Sequence, residues 1–245
     1  MRRIFLLGSG PSLKDTPMEL LKNEDIMVMN KFGRMNTYHG WGMKPKYYFK
    51  IDHNTVDRTQ VEEITWGLEN CEHLFLWEMF KEGYPKGYAN YETLSEGVGD
   101  IPNTTWIQKC PETCRAYQWN NIKANTEWHL PTLCTAFGGM STMIQIASTW
   151  LDYDEIYLLG CDLGYTPEQS KNHAIPNYTT DKRDKSDMDN GNMLHLHKMA
   201  KRCCPIPIYN STVGGELEVY ERRNVWEVLS QPTQEVAPSL ESIRV

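Results

Sequence analysis

The chain has 245 residues, 40% of them hydrophobic and 23% charged, with 25 Lys and Arg against 32 Asp and Glu and a formal net charge of -7. This composition suits a globular protein that buries a core of one sizeable domain, and it excludes intrinsic disorder, collagen-like repeats and small disulfide scaffolds. The negative charge argues against a dedicated nucleic-acid binder, whose affinity rests on neutralising phosphates, and the longest apolar runs, Ile4–Leu7 and Ile156–Leu159, fall far short of the ~20 residues that span a membrane.

Met1-Arg2-Arg3 leads at once into Ile4-Phe5-Leu6-Leu7-Gly8, an apolar stretch too short for a signal peptide, so the chain reads as cytoplasmic. The seven cysteines are an odd number, and neither Cys110/Cys114 nor Cys203/Cys204 has the spacing of a zinc knuckle or thioredoxin site. Reduced, mostly buried thiols are expected.

Strands are expected over Ile4–Leu7, Ile26–Met29, Tyr47–Ile51, Leu74–Trp77, Thr104–Ile107, Ile156–Leu159 and Ile206–Tyr209, each a short apolar run bounded by Gly, Pro, Asn or Asp. Between them, Pro17–Lys22, Arg58–Leu68, Met140–Leu151 and Asn192–Cys203 repeat apolar residues at three- and four-residue steps and read as helices. The alternation predicts an α/β fold: a Rossmann-like, doubly wound, mostly parallel sheet with helices on both faces. Strands Ile4–Leu7 and Ile156–Leu159 are apolar throughout and should be central. Irregular inserts are expected at about 84–131 and 164–190, the second a lid-like segment, within a single domain over 1–230 followed by a frayed tail over 231–245.

Ligands of doubly wound sheets bind beyond the carboxyl ends of the strands, which singles out the residues at each strand exit. After the first strand comes Gly8-Ser9-Gly10-Pro11-Ser12-Leu13, where glycines allow a sharp turn and exposed N–H groups can hold a phosphate. It is neither the dinucleotide fingerprint nor a P-loop. The same spacing serves a plain strand-to-helix turn capped by Ser12, and spacing alone does not choose between the two. Asn30 and Asp52 stand at the next exits, where Asn can read a base or ribose edge and Asp a hydroxyl, or where each closes an Asx turn. Gly138-Gly139-Met140-Ser141-Thr142 opens a helix, either as an anion cradle or with Ser141 as its N-cap. Asp162, Tyr165 and His173 follow the Ile156 strand: a histidine there can serve as general base and a Tyr hydroxyl can hold a phosphate oxygen, although a lone loop histidine is more often a surface residue. His195 and His197, two apart on a helix, point to different faces and cannot share one metal.

Taken together, Phe5–Lys14, Met29-Asn30-Lys31-Phe32, Lys44–Tyr48, Asp154–Leu163 and Tyr209-Asn210-Ser211 resemble the bacterial sialyltransferases of glycosyltransferase family 42 and the related motility-accessory-factor and 6-hydroxymethylpterin diphosphokinase-like domains. Cys161–Thr166 followed by Asn172-His173-Ala174 is nearer the second group. The resemblance implies that Gly8, Ser9, Gly10 and Ser12 hold nucleotide phosphate or ribose, that Asn30 contacts the nucleotide, that Ser141 and Thr142 lie near the base-binding turn, and that Tyr165 lies near a phosphate-binding tyrosine. Two positions depart from the sialyltransferase pattern: Ser9 stands where Asn is usual, and the general-base histidine would fall near Lys185, which leaves His173 as the nearest base.

The expected function is a nucleotide-dependent transferase, a glycosyltransferase moving a sugar from a nucleotide-sugar donor, CMP-linked by resemblance, to a glycan or other hydroxyl acceptor without a metal. The alternatives are ATP-dependent diphosphoryl transfer to a pterin, with magnesium on Asp52 and Asp162, and a catalytically silent nucleotide- or glycan-binding module. The segment around Trp106, Trp119 and Trp128 is open to core, acceptor-site or homo-oligomer contact roles, core packing being the simplest.

Overall fold

The apolar runs pair into one sheet. The computed structural model describes residues 1–51, 59–82, 97–107, 138–178 and 186–231. Its eight strands are β1 Arg3–Leu7, β2 Ile26–Met29, β3 Tyr47–Lys50, β4 His73–Trp77, β5 Thr104–Ile107, β6 Glu155–Leu159, β7 Ile208–Asn210 and β8 Glu221–Arg222. Every pairing is parallel, in the order β5-β4-β3-β2-β1-β6-β7-β8. From β1 the chain builds outward to β5, then returns to the other side of β1 with β6. β1 and β6 pair along their whole length, from Arg3 with Glu155 to Leu7 with Leu159. The direction of winding therefore reverses between them, and the loops leaving their carboxyl ends diverge around a crevice.

Strand alternation sends side chains to two cores. Ile4, Leu6, Met27, Met29, Phe49, Ile156 and Leu158 pack beneath α4 (Gly138–Thr149) and α5 (Ser186–Cys203). Phe5, Leu7, Val28, Tyr48, Leu74, Leu76 and Leu159 pack beneath α1 (Phe32–His39), α2 (Thr59–Asn70), α3 (Met79–Glu82) and α6 (Val225–Leu229). Because both faces are covered, β1 and β6 carry apolar residues at successive positions, as their sequences anticipated.

Besides the unanticipated helices α1, α3 and α6, three elements differ from the periodicity. Pro17–Lys22 forms a 3-10 helix over Met18–Asn23, because its turns close through i+3 bonds, Leu20 N–H to Pro17 C=O and Glu24 N–H to Leu21 C=O. The helix expected from Asn192 begins at Ser186 and runs through Gly191; one interior glycine costs about 1 kcal/mol, which a long helix absorbs. That shortens the lid-like insert at its carboxyl end. β8 is two exposed edge residues with no apolar signature. The bulk of the first insert, Asp52, Cys110, Cys114, Trp119, Trp128, Lys185 and the tail beyond Gln231 lie outside the described residues. Trp106 packs, half-buried, against the second core. No helix among the described residues is long and apolar enough to cross a membrane.

Inside the second core region, at the end of β3, Lys50 is 0% exposed and Glu63 of α2 is 4% exposed, with Nζ 2.5 Å from Oε2. Desolvating both charges consumes much of their attraction, yet removing one leaves the other buried without its main partner. Lys50→Met should therefore destabilise the fold by about 3–5 kcal/mol, and the double variant Lys50→Met/Glu63→Leu should recover most of that loss, read by urea unfolding.

Candidate active site at the exits of β1 and β6

The loop after β1 is built by close backbone approach. Gly8 N–H donates to Leu159 C=O at 2.8 Å and Gly10 N–H to Gly160 C=O at 3.0 Å, continuing the ladder past the ends of both strands. A Cβ on Gly8 would lie 2.4 Å from the Gly160 carbonyl oxygen, and one on Gly10 would lie 1.8 Å from Asp162 Oδ2. These glycines are thus required by the neighbouring chain. Their amides, expected as a phosphate cradle, are already engaged.

Ser12 does not cap a helix. A 3-10 turn runs over Pro11–Asp15 with Gly10 at its cap, and Ser12 lies buried inside that turn, donating its N–H to Asp162 Oδ1 at 3.1 Å and its hydroxyl to Oδ2 at 2.8 Å. Asp162 occupies the donors that the motif seemed to offer a ligand. Burial raises its pKa, and the Ser12 hydrogen bonds oppose that rise. From the far side, Glu216 N–H donates to the Asp162 carbonyl at 2.6 Å, and Gly215, at φ +73°, leaves no room for a Cβ, which would sit 2.7 Å from Asp162 Cα.

Ser9 is the loop residue that faces the insert. Its carbonyl accepts from Ala174 N–H at 2.9 Å, and its Oγ lies 3.1 Å from His173 Nδ1. The His173 ring stacks on Tyr178, centroids 3.9 Å apart at 19°, with Tyr165 edge-on at 6.2 Å. Lys31 Nζ stands 5.8 Å from the Tyr178 centroid. The insert is braced at Asn172, whose side chain accepts from Thr166 N–H and donates to Thr166 C=O, both at 2.8 Å. Burial, reinforced by Lys31, pushes the His173 pKa down to about 4 against the pull of the Ser9 carbonyl, so the ring is neutral near pH 7.

Register sets the other candidates. Leu7 pairs with Val28, so Asn30 leaves β2 at the level of Ser9. Asn30 is left-handed at φ +49°, a conformation Asn tolerates, and its Oδ1 is buried without a hydrogen-bond partner. Ser141 lies inside the first turns of α4, since the helix begins at Gly138, so the N-cap reading does not hold. Ser141 and Thr142 are buried on the sheet face opposite the His173 loop, and Ser141 Oγ has no partner. The structure thus joins Ser9 with His173 and Tyr165, and Ser12 with Asp162; Asn30 stands at the adjoining exit, and Ser141 and Thr142 lie in α4, whose Gly139 packs against Met29. Tyr178 and Lys31 were not anticipated as site residues, because a loop carries no periodic signal. Among the described residues no group of three or more His, Cys, Asp or Glu is arranged to hold a metal. His195 and His197 take separate environments: His197 Nδ1 lies 3.1 Å from the Tyr220 hydroxyl.

Gly10→Ala should cost about 1–3 kcal/mol by overpacking against Asp162, measured by urea unfolding. His173 and His197 both titrate near pH 4 when folded and near 6.5 when unfolded. The unfolded chain therefore binds more protons in that window, and both contributions to stability fade as pH drops from about 6.5 to 4. Asp162, raised by burial, works in the opposite sense and offsets part of this. Urea unfolding at several pH values across the window should show a shallower slope in His173→Gln than in the unchanged chain.

No protein-family model matches the chain, and no curated protein matches it. Solved structures do. The sialyltransferase CstII from Campylobacter jejuni in complex with the substrate analogue CMP-3FNeuAc aligns with a TM-score of 0.52 at 17% identity, over 99% of this chain and 97% of that one. Its complex with cytidine-5'-monophosphate gives 0.51 at 16% identity, over 91% and 84%. A single-residue variant of the sialyltransferase CST-II in complex with CMP gives 0.53 at 17%, over 91% and 88%. At this identity the likeness is one of fold, and the chain has the Rossmann-like α/β architecture of these sialyltransferases.

Proposed function

We propose that the chain is a nucleotide-dependent glycosyltransferase that moves a sugar from a nucleotide-activated donor to a hydroxyl acceptor. The observation that carries this reading is the neutral His173, held against Ser9 at the point where the sheet reverses its winding. A CMP-linked sugar is the first donor to test, since the CstII structures of the same fold hold CMP or CMP-3FNeuAc. The buried, unpartnered Asn30 Oδ1 is an acceptor for a donor group of the nucleotide.

In this scheme the acceptor oxygen forms a bond to the anomeric carbon while the bond from that carbon to the donor phosphate breaks. The nucleotide leaves with the electron pair, and the acceptor proton passes to His173. The Tyr165 hydroxyl serves the leaving phosphate, stabilising charge that develops there. The anionic donor also favours a protonated His173, which raises its basicity when the site is filled. Asp162 takes no part as a ligand, because both its oxygens are turned to Ser12 donors. In this scheme the Leu163–Tyr178 segment, held to the β1 loop by the Ala174 N–H on the Ser9 carbonyl, shields the reaction from water.

A thermal-shift panel of CMP, CDP, UDP, GDP and ATP, each with and without magnesium, tests the donor class, since a ligand that binds the native state raises Tm. CMP or another sugar-carrier nucleotide should stabilise the chain without metal. Stabilisation confined to ATP with magnesium would replace this reading with diphosphoryl transfer. With a working donor, His173→Ala should lower kcat by about 10²–10⁴ while donor binding persists; binding without turnover in the unchanged chain would mark a silent module.

A further inference from the structure

We propose that His39, the last residue of α1, is a positioning residue that holds the His173 loop in place by donating its Nε2–H to the Ala174 carbonyl. This rests on the reading of His173 as the residue that takes the acceptor proton.

Ala174 is gripped through both of its backbone polar groups. Its N–H donates to the Ser9 carbonyl of the β1 loop at 2.9 Å, and its carbonyl oxygen lies 2.9 Å from His39 Nε2. A carbonyl only accepts, so Nε2 carries the proton whether the His39 ring is neutral or charged, and the contact survives either state. Ala174 is buried, and among the described residues His39 is the donor that its carbonyl meets. A buried carbonyl deprived of its donor costs free energy until the chain shifts to find another. His173 directly precedes Ala174, so such a shift moves the imidazole against Ser9 Oγ, now 3.1 Å from Nδ1, and small misplacements of a reacting group cost rate.

His39 is itself fixed by its surroundings. Its ring stacks on Trp41, centroids 4.6 Å apart at 17°, and meets Tyr38 edge-on at 4.9 Å and 84°. Trp41 reaches back over the end of α1 because Gly40 turns the chain at φ +63°, a left-handed conformation that favours glycine. The segment beyond is held by Asn36, whose side chain donates to the Met43 carbonyl at 3.1 Å and accepts from Met43 N–H at 3.0 Å. The rotamer freedom of His39 is therefore already lost to packing, and its bond to Ala174 forms at little further entropic cost. The opposite end of α1 follows Asn30 at the exit of β2, so the two ends of one eight-residue helix serve different groups: Asn30, read as a nucleotide contact, and the loop that carries the imidazole. Loosening the His39 end should then lower kcat and spare donor KM.

The test follows the Ala174 amide by hydrogen exchange in the full-length chain labelled with ¹⁵N-alanine, the signal being assigned by its disappearance in Ala174→Gly, together with kcat and donor KM. His39→Phe keeps a ring against Trp41 but has no donor, and His39→Gln restores an N–H near the position of Nε2. In His39→Phe, Ala174 exchange should speed up and kcat should fall, each at least about 10-fold, with donor KM within about 2-fold and Tm near that of the unchanged chain. His39→Gln should recover most of both losses. In a His173→Ala background, His39→Phe should lower kcat no further, since the group it positions is gone. Unchanged Ala174 exchange in His39→Phe overturns the grip, and an equal fall in kcat in the His173→Ala background overturns the positioning role. A chain that binds nucleotide and transfers nothing overturns the transferase reading instead, and the exchange rates still decide the grip, so the two failures are distinct.

Discussion

The carboxylate of Asp162 ties together the two strands on which the site depends. It takes both donors of Ser12, presses against Gly10 and is backed by Gly215, so that the exits of β1 and β6 close on one another as tightly as their backbones allow. The clasp uses up Ser12 and the amides of Gly8 and Gly10, and Ser9 is left as the loop residue that turns toward the insert. Ser9 in turn carries His173 and Ala174. An element that looks like a ligand cradle therefore works as a hinge pin between strands. The side chain that turns toward the insert is that of the serine between the two glycines.

Burial governs the electrostatics of this end of the sheet. Lys50 and Glu63 are buried as a pair, and Lys31 stands close enough to the His173–Tyr178 stack to disfavour a charged imidazole. A base with a low pKa is neutral across the working pH range but has little driving force to take a proton. An anionic donor beside it reverses that balance, since a nearby negative charge stabilises imidazolium. In the proposed transfer, the imidazole would therefore be neutral in the empty site and would gain basicity from the charge of the donor.

The fold itself is shared by enzymes with unlike chemistries, and a likeness at 16–17% identity carries the architecture and no more. The functional reading stands on particular side chains: a neutral histidine with a defined partner, an unpartnered Asn30 carbonyl group at the adjoining exit, and their common position at the reversal of winding. Those features suit a nucleotide-linked substrate approached by a hydroxyl.

The sheet was legible in the sequence because parallel strands covered on both faces need apolar residues at successive positions, and Ile4–Leu7 and Ile156–Leu159 supply them. The parallel pairing followed from the alternation of strand and helix and the central places of β1 and β6 from their unbroken apolar character, whereas the strand order and the reversal between β1 and β6 came only with the tertiary structure. The helix over Phe32–His39 was missed, since its few apolar positions blend into the flanking motif, and β8, being an exposed edge, carries no pattern at all. Asp162, Ser9 and His173 could be named as candidates from their places at strand exits. What each one does could not: Ser12 looked like a cap or a phosphate ligand until Asp162, 150 residues away, was seen to fill its donors, and Tyr178 had no signal until the insert folded it onto His173. Periodicity records which faces are buried, a local property of the chain. The pairing of a serine with a histidine 164 residues on is decided by where two loops meet, which tertiary packing alone determines.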